Sequence, residues 1–221
     1  MVKSREEINR DHYKARCLRL RRSARGSAVV PAKPSAVRKR LQRACSTTTH
    51  ATLEKDGWQV FAARWCSTKV KNLARQLRAV CKTATAEQYQ LRAACDKRLS
   101  IPISKFRPSV LNKVMEETES LNLPGAAVRD NVVCILARTG AKRQSDHVDT
   151  RLATAYSVCH VITQRYIHVG VGGELCKLNA GDVLVLRGGT CHAGAEHTLL
   201  KPSMLIHVPV GYHDTTTLPC K

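Results

Sequence analysis

The feature that most constrains this chain is a change of period near Ala126. Beyond it the sequence breaks into short β-branched runs at 132–136, 155–163, 166–171, 183–186 and 204–210, separated by Gly, Asn and Pro. Runs this short, bounded by turn residues, read as strands of a sandwich or barrel. Before Ala126 the apolar residues recur at helical spacing. Val70, Leu73, Leu77 and Val80 fall on one face of a helix that Ser67 or Thr68 can cap. Thr85 with Gln88 has the form of a capping box for a second helix reaching about Arg98. Pro108-Ser109 opens a third, with Leu111, Val114, Met115 and Thr118 facing inward and Leu123-Pro124-Gly125 ending it. Trp58-Gln59-Val60-Phe61 reads as a short strand ahead of these helices. Helices first and many short strands afterwards predict an α+β domain over 51–221, its helices buttressing one face of a β-sandwich or jelly roll.

Residues 1–50 have a different character. They hold 14 Lys or Arg against 3 Asp or Glu, a net of +11 out of the chain's +20, and no acidic residue lies between Asp11 and Glu54. A one-sign charge block with little apolar content predicts a basic, disordered tail. Such a field favours polyanions, including nucleic acid, through counterion release and steering, without implying sequence recognition. Organelle targeting by this segment stays open, although Glu6, Glu7 and Asp11 count against it. No run approaches the ~18 apolar residues of a membrane span. The ten cysteines form no Cys-x-x-Cys pair. With no apolar signal segment they read as mostly reduced, buried residues of a cytoplasmic or nuclear protein.

Chemistry concentrates in two segments. In Asp146-His147-Val148-Asp149-Thr150, residues i and i+2 of an extended chain share a side, so His147 and Asp149 can grip one ion while Val148 turns into the wall. Gly181-Asp182 then opens an apolar strand, Gly188-Gly189 closes it, and His192 enters the next strand. Taken singly, His192 reads as a hydrogen-bonded core histidine. With His147 and Asp149 it completes two imidazoles and one carboxylate, the ligand set of open non-haem iron(II) sites. His197, five residues further on, is the alternative ligand. His160 and His168 read as strand residues in the core, and His213 as exposed.

Segment 181–192 is similar to the second cupin motif, with Arg187 in the place of its proline. Cupins carry His-x-His and a later Glu in their first motif, whereas His147-x-Asp149 with a distant His192 resembles the iron(II)/2-oxoglutarate-dependent oxygenase superfamily. Asp56-Gly57-Trp58-Gln59-Val60-Phe61 before a helix resembles phytanoyl-dioxygenase-like members, so the likeness spans roughly 51–213. It implies a double-stranded β-helix, Fe(2+) held by His147, Asp149 and His192, and 2-oxoglutarate as cosubstrate. The implied reaction is hydroxylation or demethylation of a substrate, with 2-oxoglutarate decarboxylated to succinate. The family places a cation beyond the distal histidine to pair with the far carboxylate of 2-oxoglutarate. No Arg follows Arg187 here; Lys201 is the nearest candidate, with Ser203, His207 and Tyr156 adding hydrogen bonds. The alternatives are a basic nucleic-acid-associated protein with a degenerate or non-catalytic cupin-like domain, and a plain cupin enzyme indifferent to 2-oxoglutarate.

Overall fold

Helical and strand periodicities translate directly into layers in the computed structural model, which describes residues 51–89, 97–127, 131–170, 173–212 and 218–220. These belong to one unit, Thr49–Lys221. The predicted tail at 1–50 lies outside the described residues. A short helix α1 (Ala51–Asp56) precedes β1 (Trp58–Phe61). Then come α2 (Ser67–Thr83), the single turn α3 (Ala86–Tyr89), β2 (Arg98–Pro102) and α4 (Pro108–Glu119). Eight of the nine remaining strands follow without an intervening helix: β3 (Val133–Ala137), β4 (His147–Val148), β5 (Tyr156–Val161), β6 (Arg165–Val169), β7 (Glu174–Leu178), β8 (Val183–Arg187), β9 (His192–Gly194) and β10 (Ser203–Val210). The last, β11, is Leu218–Pro219.

The strands form two antiparallel sheets, a six-stranded one ordered β1-β8-β5-β10-β3-β2 and a five-stranded one ordered β11-β4-β9-β6-β7. From β3 to β10 the chain passes back and forth between them, with β6 and β7 as a hairpin on one side. That winding is a double-stranded β-helix.

Alternation along each strand separates two cores. Val183 and Val185 of β8 join Val158, Cys134, Leu136, Met204 and Ile206 beneath the helices, while Leu184 and Leu186 join Ile167, Val169 and Leu178 between the sheets. In α2 the buried positions are Val70, Leu73, Ala74, Leu77 and Cys81, and in α4 they are Val110, Val114, Met115 and Thr118. A fully buried side chain of this kind contributes about 1.5–3 kcal/mol. The imidazole in this core is paired at both nitrogens. The indole N–H of Trp65 donates to His160 Nδ1 at 3.1 Å, so His160 Nε2 carries the proton and donates to Thr118 Oγ1 at 2.8 Å. Burial pushes the His160 pKa down to about 3, which keeps the ring neutral.

Several local expectations are corrected. Cys66, and neither Ser67 nor Thr68, occupies the N-cap of α2, and its side chain makes no capping bond. The second helix covers only Ala86–Tyr89 among the described residues, and Arg98 starts a strand. The capping box at Thr85 and Gln88 does open a helix at Ala86, and at its expected far end Arg98 pairs with Ala137 across β2 and β3. Among the described residues Cys66, Cys81, Cys134, Cys159 and Cys176 are reduced, as expected, while Cys191 and Cys220 form a disulfide that ties the segment after β11 to the residue before His192.

Candidate metal centre

His147 and His192 face one another as the single cross-strand pair between β4 and β9, with ring centroids 4.4 Å apart. A backbone clamp sets this register. Gln144 N–H donates to Gly194 O at 2.9 Å, and Gly194 N–H donates to Gln144 Oε1 at 3.0 Å. A Cβ on Gly194 would lie 2.4 Å from Gln144 Oε1, so only glycine allows this approach. Gly189, at φ +86°, turns the chain from β8 toward β9, and its N–H donates to Thr150 O. The turn therefore lies against the residue after Asp149.

Both imidazoles are oriented by carbonyls. His147 Nδ1 lies 2.8 Å from Ser145 O and His192 Nδ1 lies 3.1 Å from Thr190 O. A carbonyl only accepts, so Nδ1 holds the proton in each ring and Nε2 keeps its lone pair. Those two Nε2 atoms stand 3.9 and 3.5 Å from the Asp149 carboxylate oxygens. One ligand atom from each of His147, Asp149 and His192 falls within 4.8 Å of the other two, the spacing of three donors around one cation. Val148 is buried, as the alternation predicts.

Asp149 is held by more than its fellow ligands. Ser157 Oγ–H donates to its Oδ2 at 2.6 Å and His207 Nε2 lies 3.3 Å from the same oxygen. Tyr212 OH touches both Ser157 Oγ, at 2.8 Å, and His207 Nε2, at 3.3 Å. Burial pushes the Asp149 pKa up, but His192, His207 and Ser157 together hold it well below the usual carboxylate range, so the group is an anion. Burial lowers the His192 pKa, with Asp149 opposing, and burial beside Asp149 raises that of Tyr212.

The triad opens into a cavity of about 140 Å³ whose lining includes Gln144, Cys159, Arg165, Ile167, His207 and Tyr212. Arg165 is the residue that sequence reasoning missed. It lies on the inward side of β6 with Ile167 and Val169, is 3 % exposed, and its Nε and Nη1 find no hydrogen-bond partner. Burial and the neighbouring Arg98 push its pKa down to about 10. A buried guanidinium with orphaned donors beside a second arginine is costly unless an anion joins it. The signal was available in the sequence: Arg165-x-Ile167-x-Val169 places a cation in an apolar register.

The expected cosubstrate residues are elsewhere. Lys201 is exposed and lines a different cavity. Ser203 is buried and Tyr156 half-buried, and neither is among the residues lining the cavity. His207 does reach the site. His197, the alternative ligand, instead places Nε2 2.9 Å from Lys201 O. His160 lies in the helix-side core and His168 bonds Gly173 O; His213 lies outside the described residues.

No family model matches the chain, and no curated protein matches it in sequence. Solved structures do match in fold. The non-heme alpha-ketoglutarate-dependent carbocyclase SnoK from nogalamycin biosynthesis aligns at TM-score 0.61 and 13% identity, covering 76% of this chain and 85% of its own. The epimerase SnoN from the same biosynthesis aligns at 0.59 and 13%, covering 81% and 84%. A prolyl-4-hydroxylase from Pseudomonas putida aligns at 0.55 and 14%, covering 74% and 96%. The chain shares the fold of these proteins.

Proposed function

We propose that this protein is an iron(II)- and 2-oxoglutarate-dependent oxygenase, a hydroxylase or demethylase. One observation carries the reading: two inward-turned Nε2 atoms and one ionised carboxylate converge in the same enclosed cavity that holds an unpaired buried arginine. The donor set suits iron(II), since neutral imidazole and carboxylate together match a borderline divalent ion and three protein ligands leave positions for other molecules. His147 and His192 would supply Nε2, and Asp149 one oxygen. Arg165 would pair with the far carboxylate of 2-oxoglutarate through a charge-assisted hydrogen bond, the role the sequence assigned to Lys201. A loaded centre of this kind supplies dioxygen activation coupled to decarboxylation of 2-oxoglutarate.

The remaining chemistry belongs to the chain. His192, His207 and Ser157 keep Asp149 anionic, Tyr212 holds Ser157 and His207 in place behind it, and the carbonyls of Ser145 and Thr190 fix the imidazole tautomers. Ile167 and Cys159 present an apolar wall that excludes water. Burial and Asp149 push the Cys159 thiol up to about 12, so in the metal-free protein it stays a neutral part of that wall.

No helix among the described residues is long and apolar enough to cross a membrane. The excess of Lys and Arg in residues 1–50 supports a polyanionic partner, nucleic acid included.

Anaerobic titration with iron(II) and then 2-oxoglutarate tests the assignment. Wild type is expected to develop the weak visible charge-transfer band of a chelated cosubstrate, and His192→Ala is not. Metal binding in wild type without that band on adding 2-oxoglutarate would refute the cosubstrate.

A further inference from the structure

A second and larger cavity, of about 600 Å³, lies on the helix side of the six-stranded sheet. Its walls come from the C-terminal half of α2, the end of β3 and the start of β10. Four of its lining residues are cations, Arg78, Lys82, Arg138 and Lys201, and none is acidic. Leu136 and Met204, each 2 % exposed, form an apolar floor. Cys81 lines the cavity with them.

Cys81 does not stand alone. Cys134 and Leu136 on β3, and Arg138 just beyond its end, share the face turned toward α2. Arg138 donates from Nη2 to Ala84 O at 2.6 Å and to Cys81 O at 3.5 Å, which fixes its guanidinium at the end of the helix beside the thiol. The Cys134 side chain, fully buried, interacts directly with that of Cys81. The two sulfurs are polarised in opposite directions. Contact with Cys134, aided by Arg138, pulls the Cys81 pKa below the ordinary thiol value, while contact with Cys81 and burial push that of Cys134 well up. Of the two sulfurs, that of Cys81 lines the cavity and lies beside the Arg138 guanidinium, so it is the one placed to act as a nucleophile.

We propose that this cavity is a thiol-modification site, in which the cationic walls bind a small anionic disulfide and Cys81 takes up one of its halves. The Cys81 sulfur attacks one sulfur of the bound disulfide, a new S–S bond forms, and the old one breaks. The departing half leaves with the electron pair and is protonated to a thiol. Cys81 is oxidised to a mixed disulfide as the released half is reduced, so no other oxidant is required. Cys134 keeps its proton behind the adduct. The iron assignment has no part in this inference.

Oxidised glutathione, whose halves each carry a net negative charge, is a suitable probe. Folded full-length protein is incubated with it, alkylated, and mapped by mass spectrometry without reduction. Cys66 and Cys176 are more exposed than Cys81, so accessibility alone predicts that they label first. The proposal predicts that Cys81 labels at least about tenfold faster than either, the scale on which a charged cleft concentrates its counter-ion. That preference should disappear with uncharged 2-hydroxyethyl disulfide. Lys82→Glu and Lys201→Glu, both at exposed positions, should slow the glutathione reaction about tenfold and leave the neutral one unchanged. Labelling of Cys66 or Cys176 ahead of Cys81 would overturn the proposal, as would equal reactivity of Cys81 toward the charged and neutral disulfides.

Discussion

Replacing Arg165 with methionine should separate binding from stability. The side chain is almost fully enclosed, its Nε and Nη1 have no partner in the protein, and Arg98 is a neighbouring like charge. If these donors await a carboxylate, losing two charge-assisted hydrogen bonds of about 1.5–3 kcal/mol each weakens 2-oxoglutarate binding by about 3–6 kcal/mol, roughly 10²- to 10⁴-fold. The unliganded protein should not suffer, because exchanging an unpaired buried charge for an apolar side chain of similar volume is neutral or stabilising by about 1–4 kcal/mol. Calorimetric titration of the metal-loaded protein gives the first quantity and urea unfolding of the free protein the second. The expected pattern for Arg165→Met is lost cosubstrate affinity, intact metal affinity and undiminished stability, with Lys201→Met unchanged in all three. Cosubstrate affinity within twofold of wild type, or destabilisation beyond about 3 kcal/mol, would show that Arg165 is a structural residue with its own buried partner.

Three further outcomes follow from the same geometry. Ser157→Ala removes the hydroxyl that donates to Asp149 and should weaken metal binding about 10- to 100-fold in an anaerobic competition titration against a chromophoric chelator; an unchanged constant would mean that Asp149 is oriented without it. His160 titrates near 3 when folded, below its ordinary 6.5, so its stabilising contribution is complete above pH 6.5 and is lost as pH falls toward 3. Unfolding free energy measured between pH 6.5 and 4.5 should drop by up to about 1.4 kcal/mol per pH unit from this group, and His160→Gln should lack that slope. Opening the disulfide between Cys191 and Cys220, which closes a 29-residue separation, should cost about 3–4 kcal/mol, read as a lower urea midpoint for the Cys220→Ser variant.

The metal ligands were legible in the sequence because their spacing obeys local rules. His147 and Asp149 share a side through strand alternation, and Gly188-Gly189 marks the turn that delivers His192. Arg165, to which we assign the pairing of the cosubstrate carboxylate, was not legible from spacing after the distal histidine, since it lies on β6, upstream of His192, and reaches the cavity through register. Ser157 and Tyr212 were missed for a similar reason: their approach to Asp149 depends on β5 and the residues after β10 closing over the same space. Helix faces were read correctly at Val70, Leu73, Leu77, Val114 and Met115, where 3.6-residue periodicity is long enough to be unambiguous. The capping box at Thr85 and Gln88 marked where a helix begins, but no periodicity marked its end, and Arg98 belongs to a strand fixed by pairing with Ala137. The strands β2 and β7, and the brief β4, β9 and β11, lack the β-branched runs that betray their neighbours.

The ladder between β4 and β9 amounts to one residue pair, and that pair is made of the two histidine ligands. A cation bridging them would thus act as a rivet joining two strands that share few backbone bonds of their own. Amide protons around 147–149 and 192–194 should exchange quickly with solvent in the metal-free protein and become slow on loading, by a margin that grows as RT ln(1 + c/Kd) with the free metal concentration c. Chelators would then loosen the wall of the barrel as well as empty it.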